Sequence, residues 1–342
     1  MATIKEIANL AGVSRGTVDR VLNKRGQVNP EKEKKILEIA KALNYTSNIA
    51  GKTLAVRKKL LKFGYILMSA TTSNPYFLDV VEGIESQANE LADYGVSVEL
   101  RYATLSDPTL QVKLIDELLE LGVSGIAITP INHPLVSERI KQLTKEHFPI
   151  VTANTDLPDS GRIAYVGSDY FRSGQTAAGL MHIICAGKAK VGVVIGSPLV
   201  LCHSERLAGF KQRIQQEYHG LEIVGSEINN DDDIESYIVT KRLLETHPEI
   251  DALYLVAAGV VGACRAVADL KRKGQLRIVS YDATPQTVEL IKSNTITVSI
   301  TQEPFVQGAK PLEILFDYVG MNLKPESDLF YTTLGIVIKD NL

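Results

Sequence analysis

The sequence predicts a small α-helical head followed by a larger α/β body of two lobes. Three observations predict this fold class. The chain has 342 residues, which is more than a single domain usually contains. Residues 1–62, the basic head, carry 14 Lys and Arg against 5 Asp and Glu, whereas the rest of the chain has a net charge of −12. Apolar residues recur at helical spacing in the head, but strand-like apolar runs alternate with amphipathic helices in the body.

Composition excludes several classes of protein. Hydrophobic residues make up 45% of the chain and charged residues 23%, which excludes global disorder. The sequence has no run of 18 apolar residues, so we expect no transmembrane helix. Glu6 and Asn9 stand where a signal peptide would need an apolar stretch. We therefore expect a cytoplasmic protein. The three cysteines, Cys185, Cys202 and Cys264, show neither disulfide nor metal spacing, which favours the same reducing compartment.

The basic head has the pattern of three short helices. Thr3 and Glu6 form a capping box at the start of the first helix, and Gly12 ends it. Ser14 caps the second helix, and Asn29-Pro30 begins the third. Three short helices with a tight turn between the first two describe a helix-turn-helix, and the basic charge favours a polyanion as its partner.

Four segments of the head closely resemble the DNA-binding domain of LacI/GalR regulators. These segments are residues 3–8, 11–14, 17–23 and 43–45. The resemblance implies that the second helix enters the major groove, with Arg15, Gly16 and Arg20 at the base-reading positions. The arginine fork matches guanine O6 and N7, whereas Gly16 has no side chain to read a base. Asp19 either pairs with a neighbouring arginine or reads a cytosine amino group.

Residues 48–55 resemble the hinge helix of the same family, which orders on operator DNA. Leu54 stands at the position of the leucine that wedges into the minor groove and kinks the duplex. We therefore divide the head into a helix-turn-helix domain, residues 1–47, and a hinge helix with its linker, residues 48–62.

Ser14 and Thr17 are residue types that ordinarily cap helices, and capping can coexist with a contact to DNA. The resemblance assigns DNA contacts to Thr3, Ser14, Arg15, Gly16, Thr17, Arg20, Asn23, Asn48, Lys52, Leu54 and Ala55.

The body, residues 63–342, has the pattern of repeated βα units. Such units form parallel sheets with helices on both faces, and the length of the body favours two lobes. The predicted strands are residues 63–69, 96–102, 125–129, 150–153, 190–195, 221–228, 252–256, 277–281 and 297–300. Helices are predicted between most of them, for example at residues 77–94, 110–121, 175–185, 205–218 and 305–319.

Polar and aromatic residues follow the ends of these strands. Ligands of open α/β sheets bind beyond the carboxyl ends of the strands, so these side chains predict a site. Planar polar groups can bond pairs of hydroxyl groups while rings cover an apolar sugar face, although each residue alone is more often a helix cap. The candidate ligand-binding residues are Asn74, Tyr76, Phe77, Thr129, Asn154, Thr155, Arg206, Ala257, Tyr281, Asp282 and Gln302.

Nearly the whole body resembles periplasmic sugar-binding proteins, especially the ribose-binding type. The segments that carry the resemblance are residues 74–77, 206–210, 281–282 and 302. Asn154-Thr155 replaces an Asp-Arg pair, and residues 257–259 replace an Asn-Asp pair, so we expect a ligand other than ribose. Cyclitols, nucleosides and autoinducers stay open beside sugars. The resemblance places lobe one at residues 63–167 and 302–327, and lobe two at residues 168–301 and 328–342.

These patterns predict a DNA-binding transcriptional regulator, most simply a repressor, that responds to a sugar or related polyol between its lobes. We expect a homodimer or tetramer on a pseudo-palindromic operator, with no cofactor, no metal, no membrane partner and no enzymatic activity. Two alternatives stay open: a periplasmic-type sugar-binding protein and a doubly wound α/β enzyme. The patterned basic head disfavours the first. The second lacks a G-x-G-x-x-G after a strand and a histidine pair at i, i+4.

Overall fold

The computed structural model describes residues 4–22, 28–43, 60–71, 74–104 and 107–342. In the head, three helices surround a small core: α1 (Ile4–Ala11), α2 (Arg15–Leu22) and α3 (Pro30–Ala42). Ile7, Val18 and Ile36 are fully buried between them. The Ser14 hydroxyl accepts a hydrogen bond from the Thr17 N–H at 3.1 Å, as its predicted role as a cap requires. The proposed cap at Thr3 lies outside the described residues.

The body contains twelve described strands, which form two six-stranded sheets. In chain order they are β1 (Lys62–Met68), β2 (Ser97–Ala103), β3 (Ile126–Ile128), β4 (Ile150–Ala153), β5 (Ala164–Gly167), β6 (Ala189–Ile195), β7 (Leu221–Ile228), β8 (Ala252–Leu255), β9 (Arg277–Tyr281), β10 (Val298–Thr301), β11 (Leu329–Tyr331) and β12 (Gly335–Val337). The sheet of lobe one has the order β11-β5-β4-β3-β1-β2, and that of lobe two β12-β10-β9-β8-β6-β7. All neighbouring strands are parallel except β12, which runs antiparallel to β10.

Helices cover both faces of each sheet, as βα units require. They are α4 (Tyr76–Ala92), α5 (Pro108–Glu120), α6 (Pro134–Lys145), α7 (Tyr170–Ile184), α8 (Leu201–Gln216), α9 (Asp233–Thr246), α10 (Val260–Asp269), α11 (Pro285–Lys292) and α12 (Pro304–Leu315). A π-helical turn, Phe316–Gly320, continues α12, and a 3₁₀ turn, Lys339–Asn341, lies near the C-terminus. No helix in the described ranges is long and apolar enough to cross a membrane.

Each lobe has its own hydrophobic core. Lobe one packs buried strand residues such as Phe63 and Ile126 against Leu118 of α5 and Leu312 of α12. Lobe two has one core on each face of its sheet, because residues of a parallel strand are buried on both sides. The central strand β8 shows this directly, since all four of its residues are buried.

The predicted strands agree with the structure to within one residue at each end, but β5, β11 and β12 were missed. The expected third crossing between lobes, near Asp328, is wrong. Leu329–Tyr331 forms β11 and pairs with β5 in the sheet of lobe one. The third crossing therefore comes later than expected, at residues 332–334, before β12 joins the sheet of lobe two. A three-residue strand of mostly exposed side chains has too short a pattern to be recognised from sequence. The other domain boundaries stay predictions.

Candidate functional site

A cavity of about 490 Å³, measured to include its mouth, lies between the two lobes beyond the carboxyl ends of the strands. The loops after β3 and β4 contribute Thr129, Asn154 and Thr155, and those after β9 and β10 contribute Asp282 and Gln302. The complete lining is Met68, Asn74, Tyr76, Phe77, Thr129, Asn154, Thr155, Val200, Cys202, His203, Arg206, Asp231, Ala257, Ala258, Asp282 and Gln302. Ten of the eleven predicted ligand residues therefore meet in one cavity.

Tyr281 is the predicted residue outside this lining, and it lies against Arg206. The Arg206 guanidinium carbon is 3.6 Å from the centroid of the Tyr281 ring and 4.8 Å from that of Tyr170. Such stacking of a cation on aromatic faces is attractive and holds the guanidinium in one plane. The Tyr281 hydroxyl in turn accepts a hydrogen bond from Ser173 and contacts the Tyr254 hydroxyl at 3.0 Å. Tyr281 is therefore a support for Arg206.

Arg206 is 97% buried, and its fixed position links several parts of the site. Its Nη1 donates to the Val256 carbonyl at 2.9 Å, and its Nη2 donates to Gln302 Oε1 at 3.0 Å. Its third donor, Nε, has no hydrogen-bond partner among the described residues. Arg206 therefore presents a buried positive charge and an unsatisfied N–H in a cavity-lining side chain.

Asp282 is the acidic group nearest to this charge network. Gln302 Nε2 donates to Asp282 Oδ1 at 2.9 Å, so Gln302 connects Asp282 to Arg206. Burial raises the pKa of Asp282 to about 6, although Arg206 and the Gln302 hydrogen bond both lower it. Asp282 does not cap the following helix, because the Thr284 hydroxyl accepts the Thr287 N–H at the start of α11. Its carboxylate is therefore available to a ligand.

Asn154 belongs to a network that joins the cavity wall to the crossing segments. Its Nδ2 donates to the Tyr76 hydroxyl at 3.1 Å and to Gln307 Oε1 at 3.1 Å. The Tyr76 hydroxyl also donates to Gln307 Oε1, at 2.8 Å. Gln307 is fully buried and reaches onward to the Gln302 carbonyl at 2.7 Å. The backbone of Asn154 is left-handed, with φ of 64°, a conformation that Asn tolerates well.

Two threonine hydroxyls in the cavity wall have no hydrogen-bond partner among the described residues. They are Thr129 Oγ1 and Thr155 Oγ1, and both residues are almost fully buried. A buried polar atom without a partner costs about 1–3 kcal/mol, so native proteins retain few of them. Together with Arg206 Nε they make three unsatisfied groups in residues that surround one space.

His203 and Asp231 form a second pair of ionisable groups in the cavity wall. His203 Nε2 lies 3.9 Å from Asp231 Oδ2, and both side chains are at most 9% exposed. Burial alone would lower the pKa of His203, but the charge of Asp231 and the neighbouring Cys202 side chain raise it to about 9. Asp231 Oδ1 accepts the Ala258 N–H at 3.1 Å.

In the head, the predicted base-reading residues Arg15, Gly16 and Arg20 are exposed on α2. Arg20 Nε donates to the Gly16 carbonyl at 3.2 Å, which orients the guanidinium along the helix. Ser14 and Thr17 contact each other through their hydroxyls at 2.9 Å. The other predicted DNA contacts lie outside the described residues: Thr3, Asn23, Asn48, Lys52, Leu54 and Ala55.

Comparison with known families assigns both parts of the chain. Residues 3–48 match the model of bacterial regulatory proteins of the lacI family, and residues 64–322 match the periplasmic binding protein domain. The chain is a LacI-family regulator with a periplasmic binding protein domain. Within the described ranges, this regulator has no group of three or more His, Cys, Asp or Glu side chains placed to hold a metal ion.

Relatives of this regulator include both regulators and sugar-binding proteins. It is 28% identical to the ribose operon repressor of Halalkalibacterium halodurans over 93% of this chain and 91% of the relative. It is 26% identical to catabolite control protein A of Staphylococcus epidermidis, over 93% of this chain and 92% of the relative. A glucose-galactose binding protein from Geobacillus stearothermophilus has a similar structure, with a TM-score of 0.75 and 25% identity over 82% of this chain and 98% of that one.

Six residues of the cavity lining in this regulator are not among the predicted ligand residues: Met68, Val200, Cys202, His203, Asp231 and Ala258. Asp231 follows the end of β7, so the rule that ligands bind beyond strand ends could have found it. His203 lies in the polar segment that follows β6, so the same rule points to it, whereas the other four residues are apolar or small and give no such signal. The buried Gln307 was also missed, because an isolated glutamine in a helix gives no signal of its partners.

Proposed function

We propose that this regulator binds a sugar or a related polyol in the cavity between its lobes, and that binding changes its affinity for operator DNA. The unsatisfied polar atoms carry this proposal. Thr129 Oγ1, Thr155 Oγ1 and Arg206 Nε are buried in cavity-lining residues without a partner, and a hydroxylated ligand supplies donors and acceptors to all three. Asp282 adds a carboxylate that can accept hydroxyl protons.

The relatives support the same class of ligand. The repressor from Halalkalibacterium halodurans is named for the ribose operon, and the similar structure from Geobacillus stearothermophilus is a glucose-galactose binding protein. The rings of Tyr76 and Phe77 lie in the cavity wall at 5.3 Å between centroids, where they can cover an apolar sugar face. The mixture of charged, amide and hydroxyl groups therefore fits a neutral ligand rich in hydroxyls.

Control of DNA binding requires that the ligand prefer one arrangement of the lobes. A ligand shifts such an equilibrium only by its difference in affinity for the two states. We propose that the regulator acts as a homodimer on a pseudo-palindromic operator in the cytoplasm, since a change in lobe arrangement would then alter the separation of the two heads. The exposed Arg15 and Arg20 of α2 are the proposed base contacts.

A calorimetric titration of the full-length protein tests the ligand class. The probes are D-ribose, D-arabinose, D-xylose, D-allose, D-galactose, D-glucose and myo-inositol. At 100 times its dissociation constant, a bound probe should also raise the free energy of unfolding by about 2.7 kcal/mol. The same probe should change the operator affinity, measured by fluorescence anisotropy, in either direction.

Replacing Thr155 by the isosteric valine gives a matched test of the cavity. Thr155→Val should weaken binding of the probe about five- to tenfold, because a hydrogen bond to the ligand is worth about 1 kcal/mol. Thr240→Val is the control: its Oγ1 is also buried without a partner among the described residues, but it lies outside the cavity lining. Binding by none of the probes, or equal effects of the two substitutions, would contradict the proposal.

A further inference from the structure

The cavity wall contains a buried pair of ionisable side chains, His203 and Asp231, which face each other without a direct hydrogen bond between them. The two groups are almost completely buried and face each other across 3.9 Å, which is too long for a direct hydrogen bond. A gap between two opposite hydrogen-bonding groups at a cavity wall is a place for a small polar group of a ligand.

The protein fixes the outer side of each group. His203 Nδ1 lies 3.0 Å from the Ser197 nitrogen and 3.1 Å from the Ser197 carbonyl oxygen, so the ring is held by its Nδ1 edge. When Nδ1 accepts the Ser197 N–H, or when the ring is protonated, Nε2 carries a hydrogen. The Ala258 N–H occupies Asp231 Oδ1, which leaves Oδ2 on the side of His203.

The backbone around the pair is built for this close approach. A Cβ at Gly196 would lie 2.5 Å from Asp231 Oδ1 and 2.6 Å from His203 Nδ1, so no larger residue fits there without displacing the pair. Asn229 Nδ2 donates to the Ala258 carbonyl at 2.8 Å, while the Ala258 N–H donates to Asp231. Both backbone polar groups of Ala258 are therefore hydrogen-bonded. The pair is therefore held from the protein side by several contacts, and both of its residues line the cavity.

We infer that His203 and Asp231 form a hydroxyl-specific subsite, in which one hydroxyl group of the ligand accepts a hydrogen bond from His203 Nε2 and donates its own hydrogen to Asp231 Oδ2. An oxygen about 2.8 Å from each atom spans their separation with an angle of about 90° at the oxygen. This inference rests on the proposed function, because it requires a hydroxylated ligand in the cavity.

The hydrogen-bonding atoms of the subsite define what it rejects. A methyl group or a bare hydrogen in place of the hydroxyl group would leave both His203 Nε2 and Asp231 Oδ2 without the ligand as a partner. A site built to hydrogen-bond a hydroxyl group discriminates strongly against an analogue that lacks it, since its own buried groups then remain unpaired. The pair therefore selects among sugars by the presence and direction of one hydroxyl group.

The test uses the tightest-binding sugar of the panel above and its series of single-deoxy derivatives, titrated calorimetrically into the full-length protein. In the unsubstituted protein, removing one particular hydroxyl group should cost at least tenfold in affinity. Asp231→Asn and His203→Gln should each weaken binding of the parent sugar about tenfold, but should not weaken binding of that one deoxy derivative further. Such coupling shows that the hydroxyl group and the pair act on each other.

Matched controls separate this role from a loss of structure. Asp159→Asn makes the same isosteric change at an exposed residue with nearly the same backbone, φ of 59° against 62° for Asp231. His219→Gln is the exposed control for His203. Gly196→Ala should reproduce the loss of selectivity by displacing the pair, even if one of the side-chain variants melts at a lower temperature.

The possible outcomes are distinct. An equal loss of affinity for the parent sugar and every deoxy derivative would assign the pair a structural role only and overturn the inference, while the proposed function stands. Unchanged binding in the variants would also overturn it. Binding of no sugar to the unsubstituted protein would overturn the proposed function and the inference together.

Discussion

Asp282 is the single residue whose charge most directly links the cavity to pH. Burial raises its pKa to about 6, and Arg206 opposes this shift from the other side of Gln302. Asp79 is the other acidic group that raises it. The ionised form accepts hydroxyl protons from a ligand, whereas the protonated form offers one fewer acceptor and has no charge to strengthen the bond.

Sugar affinity should therefore rise roughly tenfold between about pH 5 and about pH 7, as Asp282 ionises through its raised pKa. His203, whose pKa is raised to about 9, stays protonated over this interval and does not contribute. Calorimetric titrations at several pH values measure the profile. Asp282→Asn, which tolerates the φ of 66° at this position, should lower the affinity and flatten the profile. A variant that keeps the same slope would exclude Asp282 as the titrating group.

Arg20 is the residue of the head for which the structure permits the sharpest test. It is exposed on α2, its Nε donates to the Gly16 carbonyl, and its two terminal nitrogens have no hydrogen-bond partner among the described residues. Arg20→Ala should reduce affinity for the preferred operator by about 1–3 kcal/mol, the value of a bidentate contact to guanine. Anisotropy titrations with operator and with random duplex distinguish the roles. Equal losses on the two duplexes would make Arg20 a phosphate contact.

At the scale of elements, helices α7 and α8 place Arg206 through a close approach of their backbones. A Cβ at Gly174 would lie 1.9 Å from the Arg206 carbonyl oxygen, and a Cβ at Gly209 would lie 1.9 Å from the Phe171 carbonyl oxygen. The two helices therefore touch at glycines on both sides. Any residue with a side chain at these points must push α8, and Arg206 with it, away from the cavity.

Gly174→Ala should therefore lower both the melting temperature and the affinity for the sugar, because the Arg206 backbone must move. Gly179→Ala is the matched control on the same helix, since its Cβ would meet only the Tyr218 hydroxyl, at 3.7 Å. That control should be neutral or stabilise the protein by up to about 1 kcal/mol, as expected for alanine over glycine in a helix. Thermal melting beside calorimetry measures both effects. Equal behaviour of the two variants would remove the close approach as the cause.

Features set by local sequence patterns were predictable, whereas features set by contacts between distant residues were not. Strands such as β4 and β7 were predicted with their observed bounds, because apolar runs between turn residues are a local signal. The cavity residues were found because they follow strand ends, a rule of the fold. The stacking of Tyr281 on Arg206 and the hydrogen bond of Gln307 to Tyr76 were not predicted, because both contacts join residues distant in sequence. Likewise, β11 was missed because its pairing with β5 is set by the path of the last crossing.

At the scale of the whole molecule, the two lobes meet through a small set of defined contacts. The loop before α8 brings Leu199 of lobe two against the core of lobe one, and the Asn132 N–H donates to the Leu199 carbonyl at 2.9 Å. Nearby, Tyr165 of lobe one packs with Val200 and Cys202 of lobe two. These contacts lie beside the cavity, so a ligand held by both lobes stabilises the same arrangement that they do.

The late crossing of the chain has a practical consequence for measuring that arrangement. The body begins with β1 in lobe one, whereas β12 and the final 3₁₀ turn belong to lobe two. The exposed C-terminal residue, Leu342, is thus carried by the lobe opposite to the one that receives the head. One fluorophore at the C-terminus and another on an exposed helix of lobe one would report opening and closing as a change in energy transfer, with neither dye in the cavity.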